Sequence, residues 1–447
     1  MKKMLFAAIA LLLAAAPAAQ AQKVNEAALR SKIEKSDADI ADAKKSVKAA
    51  TWLNRGKAFY EAAQEPTKSL FVGVDMIMLK MAMGDPASTE EVTLLDVPYK
   101  ALVYPYVTVY LRDDKVATWK QTREVMPDAV GKALEAYNKA YELDPKTADK
   151  VKAGLKQLSD YCSQLGNVGL ETGEYKTSAE AYKQAYEIQS SPAYGEADPA
   201  LLYYAGYLQT VNGSQDPAAF VDGAVELQKA LDLGYADEEG NIYYYLYHCY
   251  YGQKDQDPAN VMKAKEVLLT GIEKFPKNER ILDGLMQLYT SEEGVGDPAD
   301  LVTMIDKAIE ENPQNIDLWF GRGRIFNALK NYDEAIASFK KVAELAPQLF
   351  EGNYCVGAFI AIKGDALNTE MNQKQYSSQA AYDADLKSVN EVYMSAIPWF
   401  EKAHEIKPED VNTLDFLKSI CFRLRDEAGM MDLYNKYNEL FKQAKGE

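Results

Sequence analysis

From residue 46 onward, apolar side chains recur at intervals of three and four, the spacing that lines one face of an α-helix. The pattern is clearest in NIDLWFGRGRIFNALKNYDEAIASFKKVAELAP, which ends at Pro347. Trp319, Gly323 and Phe326 fall on one predicted helix, and Ala335, Phe339 and Val342 on the next. Gly323 and Ala335 are small enough to let the two helices cross closely, with Trp319, Phe326, Tyr332 and Phe339 filling the space around the crossing. Pro313 precedes Pro347 by 34 residues, so the helix pair reads as one copy of a repeat.

Counting from that copy gives about eight units between residues 46 and 447. The second carries Leu165, Gly166, Tyr182 and Ala185, the third Gly206, Leu227 and Ala230, and the fourth Leu246, Ala264, Leu268 and Gly271. Leu282, Leu285 and Ile305 mark the fifth; Leu414, Leu417, Cys421 and Tyr434 mark the eighth. Two units are divided. In the first, Trp52, Gly56 and Phe59 are parted from Ala133, Tyr137 and Ala140 by an insertion over 65–127. In the seventh, Gly357 and Phe400 are parted by a polar stretch over 363–390. Asp216-Pro217, Asp257-Pro258 and Asp297-Pro298 each precede a helical run, where Asp accepts free amides and Pro, at a first helical position, loses no hydrogen bond.

The 34-residue period, the two-helix unit and the small residues at the crossing resemble the tetratricopeptide repeat (TPR) family. That resemblance implies an all-α fold, an α-α superhelix of about eight helix-turn-helix units, with the A helices lining its concave surface. On the register of the sixth unit, the inward positions are Phe320, Arg324 and Asn327, followed by Tyr354 in the seventh. The third unit offers Tyr203 and Tyr207, and the fourth Tyr244, His248 and Tyr251. Asp283, Gln287, Ser163, Asn167, Lys57 and Tyr60 complete the row. Tyr243, Tyr247 and Tyr250 are expected to pack between helices instead. Tyrosine in such a row gives rigid contact area with one hydrogen-bonding tip. Arg324 and Lys57 offer pairs to a peptide carboxylate, but the family's carboxylate clamp needs more Lys, Arg and Asn positions than match here.

Within 65–127 the period changes to alternation, predicting a small α/β insertion with a β-hairpin. Tyr106–Arg112 and Lys115–Trp119 flank an Asp113-Asp114 turn, and Val92–Leu95 offers a third strand. Val107, Val109, Leu111 and Val116 are expected on one face, Tyr110 and Trp119 on the other. Val74–Met83 reads as a short Met-rich helix whose methionines fill an irregular core. Both insertions fall between the A and B helices of a unit, and the family geometry places them on one edge of the array, flanking one end of a central groove.

Residues 1–21 read as a secretory signal peptide: Lys2 and Lys3, an apolar run from Leu5 to Ala16, then Ala19-Gln20-Ala21 before Gln22. Residues 22–45 form a helical or flexible lead-in. The expected product is periplasmic or secreted, without a transmembrane segment after cleavage between Ala21 and Gln22. The formal charge is −17, and loss of Lys2 and Lys3 makes it −19. That balance argues against a nucleic-acid partner. Export permits disulfides, yet Cys162, Cys249, Cys355 and Cys421 sit in apolar helical patterns with no paired spacing, so buried free thiols are expected. Cys355 with Cys421 is the one pair worth testing.

Thirty Tyr against two His is the oddest ratio in the chain. Scarce His removes most zinc, triad and acid–base schemes. The paired carboxylates Glu90 and Glu91 are what an acidic chain supplies by chance, and His404 is expected at the surface near a helix end. No catalytic residue, metal or cofactor is expected; Asp255 and Asp257 lack the further oxygen ligands of a calcium loop. The sequence thus points to an exported, non-enzymatic scaffold that binds a protein or extended peptide of the cell envelope in a Tyr-lined groove. The alternative is a glycan-binding or carbohydrate-processing component using the same aromatic surface.

Overall fold

A computed structural model describes residues 24–297 and 299–446. The expected signal peptide and its cleavage site lie outside the described residues. The chain divides into two units, 1–235 and 236–447. Each is built from antiparallel helix pairs, giving the all-α repeat fold with a small sheet near the N-terminus.

The first unit opens with α1 (Glu26–Ala41), which packs on α2 (Ala49–Gln64). The partner of α2 is α4 (Ala129–Leu143), reached only after the insertion. Gly56 allows this pairing: a Cβ there would lie 2.7 Å from the ring of Tyr137, which is fully buried at the crossing. Next come α5 (Ala148–Glu171) paired with α6 (Tyr175–Gln189), and α7 (Ala200–Asn212) paired with α8 (Ala219–Asp232).

Between α2 and α4 the chain forms α3 (Met76–Met83) and four strands, β1 (Ser88–Leu94), β2 (Val97–Val103), β3 (Val107–Arg112) and β4 (Lys115–Gln121). They pair antiparallel in chain order. Asp113 and Asp114 both adopt positive φ, at 53° and 56°, and so do Leu95 and Asp96, at 48° and 64°. Positive φ at both central residues turns a hairpin with the twist of its strands. The strand expected at Val92–Leu95 is β1, which starts earlier and ends before Leu95, a residue of the turn. The second strand, VPYKALV, had no counterpart in the sequence reading, because Pro98 interrupts its alternation.

Trp119 corrects the face assignment. It lies opposite Val109 and joins the cluster of Leu102, Val107, Leu111 and Val116, not the Tyr99–Ala101–Tyr110 face. The cause is an irregularity between Tyr110 and Leu111: Leu111 pairs with Val116 but Tyr110 with Thr118, so Ala117 is an extra residue that shifts the alternation. The Met-rich helix also departs from expectation. Leu79 and Met83 are buried, whereas Ile77, Met78 and Met81 are exposed at 71%, 61% and 83%. An eight-residue helix lying on a sheet has only one face to bury.

The second unit contains α9 (Asn241–Tyr251) with α10 (Ala259–Lys274), and α11 (Glu279–Ser291) followed by α12 (Ala299–Glu311). After these come α13 (Ile316–Ala328) with α14 (Tyr332–Leu345), α15 (Phe350–Gln373) with α16 (Gln379–Ile406), and α17 (Val411–Arg423) with α18 (Met430–Lys445). At Gly323 a Cβ would lie 2.6 Å from Phe339, the crossing expected from the sequence. The polar stretch 363–390 is mostly helix: it lengthens α15 and α16, which stay zipped by Gly364 against Tyr393 and by Tyr393 donating to Asp365. Arg322 joins three helices, binding Asp306 at 2.7 Å, Ser338 at 2.8 Å and Glu334 at 3.0 Å.

The Asp-Pro pairs work as starts. Asp216, Asp257 and Asp297 accept from the amides of Ala218, Ala259 and Ala299 at 3.2, 3.0 and 2.8 Å. Asp198 does the same for Ala200 at 2.9 Å, a fourth instance not singled out in the sequence. All four cysteines are buried free thiols. No described helix is long and apolar enough to cross a membrane.

Candidate functional site

In the first unit the expected inward residues Ser163, Asn167, Tyr203 and Tyr207 come together around one cleft of 460 Å³. Residues 163, 167 and 170 lie on one face of α5 and residues 203, 204 and 207 on the facing part of α7, because steps of three and four return a helix to the same side. Tyr182 of α6 and Tyr204 complete the wall, and sequence reasoning assigned neither to it. Tyr204 is 44% exposed, with its ring 5.4 Å from both Tyr182 and Tyr203. Tyr203 in turn stands 5.4 Å from Tyr235. Tyr182 donates to Asn167 Oδ1 at 2.6 Å, and burial raises its pKa, so its hydroxyl keeps its proton. The signal that would have found Tyr204 is the tandem Leu201-Leu202-Tyr203-Tyr204, in which the leucines take the core and leave both rings outside it.

In the second unit Tyr244, His248 and Tyr251 do share one side of α9, at i, i+4 and i+7. Their surroundings are more occupied. His248 sits 4.4 Å from the Tyr244 ring and 4.7 Å from that of Tyr247, and burial lowers its pKa. Tyr251 stacks on Tyr247 at 5.6 Å and donates to Glu292 at 2.7 Å, while Lys254 reaches both Glu292 (2.6 Å) and the Tyr251 hydroxyl (2.9 Å). Arg280 lies 6.0 Å from the Tyr244 ring. Tyr243 and Tyr247 are core residues, 4% and 0% exposed.

Three further groove candidates are engaged by neighbouring side chains. Phe320 is only 7% exposed and packs edge-on against Phe339 at 5.2 Å, so it belongs to the core. Arg324 is held by an ion pair with Glu279 and covers the Phe320 ring at 5.3 Å; a carboxylate ligand would have to displace that pair. Tyr354 lies among Phe350, Phe400 and Phe416, at 5.4, 5.8 and 6.0 Å, filling the joint between helix pairs. His404 is half-buried rather than at the surface, with Tyr437 6.3 Å away. Asp255 and Asp257 stay a loop and a helix start, and no metal-competent cluster of His, Cys, Asp or Glu occurs among the described residues.

Helix pairs with small residues at their crossings, joined by short links and stacked in order, define a helical-repeat protein of the kind that presents surfaces to other chains. The tetratricopeptide repeat family matches residues 159–192 and 316–349, one helix pair in each unit, so the chain carries tetratricopeptide repeats at both places. No curated protein matches it. Among solved structures it is similar to MamA MSR-1 (18% identity, 47% of this chain and 97% of that one, TM-score 0.23). It is also similar to a monomeric mutant of IFIT1 with Gppp-AAAA (13%, 70% and 68%, TM-score 0.31). A third is YrrB, a TPR protein with an unusual peptide-binding site (18%, 63% and 97%, TM-score 0.25). At such scores these likenesses add nothing to the repeat assignment, which rests on the family match and the helix pairs.

Proposed function

We propose that this TPR protein is an exported, non-enzymatic scaffold that binds a protein or an extended peptide of the cell envelope. The carrying observation is the tyrosine-walled cleft between α5 and α7, where Tyr204 remains 44% exposed beside Tyr182, Tyr203 and Tyr207. Rigid rings with hydroxyl tips, set beside Leu170, Leu201 and Leu208, suit an apolar side chain whose backbone finds hydrogen bonds at the rim. Export rests on the leader-like residues 1–21. The non-enzymatic reading is supported by the thiols: burial pushes Cys162 and Cys355 up to about 12, which makes them poor nucleophiles. The test is affinity capture from a cell-envelope fraction with the wild-type chain beside a Tyr203→Ala/Tyr204→Ala/Tyr207→Ala variant. Partners lost with the variant support the cleft; identical partner sets refute it.

A further inference from the structure

The first unit holds a second cleft, of 390 Å³, and the insertion builds it. Tyr161, Leu165 and Val168 of α5, with Thr172 just past its end, line this one, whereas Ser163, Asn167 and Leu170 line the tyrosine cleft. A helix turns 100° per residue, so the two sets fall on opposite faces of α5. Ala62 and Ala63 at the end of α2 close one side, and residues 119–126, the end of β4 and its exit, close another.

Floor and mouth differ in chemistry. The floor is Ala62, Ala63, Leu165 and Val168 with Trp119, which is 2% exposed. The indole Nε1 of Trp119 is buried without an acceptor among the described residues. Of the two cations in the lining, Lys120 pairs with Glu174, and Arg123 shares Glu26 (3.2 Å) with Arg30, which also donates to the Val125 carbonyl at 3.1 Å. Glu124, Asp128 and Glu180 are exposed there, and no described lysine or arginine lies within 4.0 Å of them. The mouth therefore carries a net negative charge over an apolar floor.

We propose that this cleft binds a basic peptide segment, distinct from the occupant of the tyrosine cleft and independent of it. An apolar side chain fills the floor beside Trp119, and flanking lysines or arginines face Glu124, Asp128 and Glu180. The volume lies within the roughly 300–1,000 Å³ of ligand pockets. Charge complementarity sets the partner's sign.

The experiment uses the full mature-length chain and two fluorescein-labelled, acetylated pentapeptides, one with leucine between pairs of lysines and one with leucine between pairs of glutamates. Maltotriose serves as a neutral sugar probe. The four indole N–H resonances are followed in parallel, that of Trp119 being assigned from Trp119→Phe. The expected result is saturable binding of the lysine peptide, weakened at least about tenfold by Glu124→Lys/Glu180→Lys, with a shift of the Trp119 resonance. Both substituted residues are exposed, so the thermal midpoint is expected to hold. Tyr204→Ala leaves this binding unchanged, which separates it from the tyrosine cleft. The proposal is overturned if the charge-reversed variant binds within twofold of wild type, if the glutamate peptide binds equally well, or if maltotriose and not the lysine peptide moves the Trp119 resonance.

Discussion

Helices α7 and α9 are the two most tyrosine-rich A helices of the array, and they use their rings in opposite ways. In α7, Leu201, Leu202, Ala205 and Leu208 take the buried positions, so Tyr203, Tyr204 and Tyr207 are left at the edge of a cleft. In α9 only Ile242 and Leu246 are aliphatic core residues, and Tyr243 and Tyr247 must fill the rest. Tyr244, His248 and Tyr251 then pack on those rings instead of standing away from them. Tyrosine count thus says little about exposure. What decides is whether aliphatic neighbours have already filled the core.

The sharpest way to break this comparison is to remove one ring from each helix. Tyr247 is fully buried and its hydroxyl reaches Gln287 at 3.3 Å, so Tyr247→Ala is expected to cost about 3–5 kcal/mol, like other large-aromatic truncations. Tyr204→Ala removes a ring that is 44% exposed and is expected to cost less than about 1 kcal/mol. Urea midpoints, together with amide exchange read separately over α7 and α9, check both values. Equal losses would mean that the α7 rings are structural after all.

Binding is expected to rank the two residues the other way. Loss of Tyr204 should weaken a captured peptide partner by about 2 kcal/mol, roughly thirtyfold, as anchor residues in desolvated clefts do. Tyr251→Phe removes only the hydroxyl that donates to Glu292, and its expected effect on that partner is under about twofold. Titration calorimetry on the partner recovered from the capture experiment measures both. A larger loss at Tyr251 would move the binding surface to the second unit.

Much of the fold was legible because it is local. The 34-residue period, Gly323 against Phe339 and the Asp113-Asp114 turn are each fixed by residues a few positions apart or by one helix crossing. The failures come where side-chain packing and strand register, not spacing along the chain, decide a residue's place. Trp119 changed faces because one extra residue, Ala117, entered the ladder with β3. Phe320 was placed inward by register, yet Phe339 and the cover of Arg324 put it in the core. The exposed Met78 and Met81 look identical in sequence to the buried Met83. Tyr204 was missed since a groove rule that takes every fourth residue skips its neighbour.

A smaller effect separates the two units by pH. Glu226 of α8 is 3% exposed, with Lys183 3.3 Å away and Oε2 unpartnered among the described residues. Burial raises its pKa to about 7, against the pull of Lys183. Folding therefore takes up a proton between the ordinary carboxylate value of 4.5 and about 7, and the stability of the first unit falls as pH rises through that window, by about 3 kcal/mol. Glu226→Gln should flatten this dependence.

His248 runs the opposite way. Its pKa is lowered below 6.5 by burial between Tyr244 and Tyr247, so the folded second unit refuses a proton that the unfolded chain accepts. Stability is full above 6.5 and is lost as pH falls through the window below it. Amide exchange at pH 5 and pH 7.5, corrected for intrinsic rates, should show α8 better protected at the lower pH and α9 less so. In His248→Gln the α9 difference should vanish while the α8 difference persists. If both helices respond in the same direction, the imidazole is not held neutral by its rings, and α9 presents it to solvent as α7 presents Tyr204.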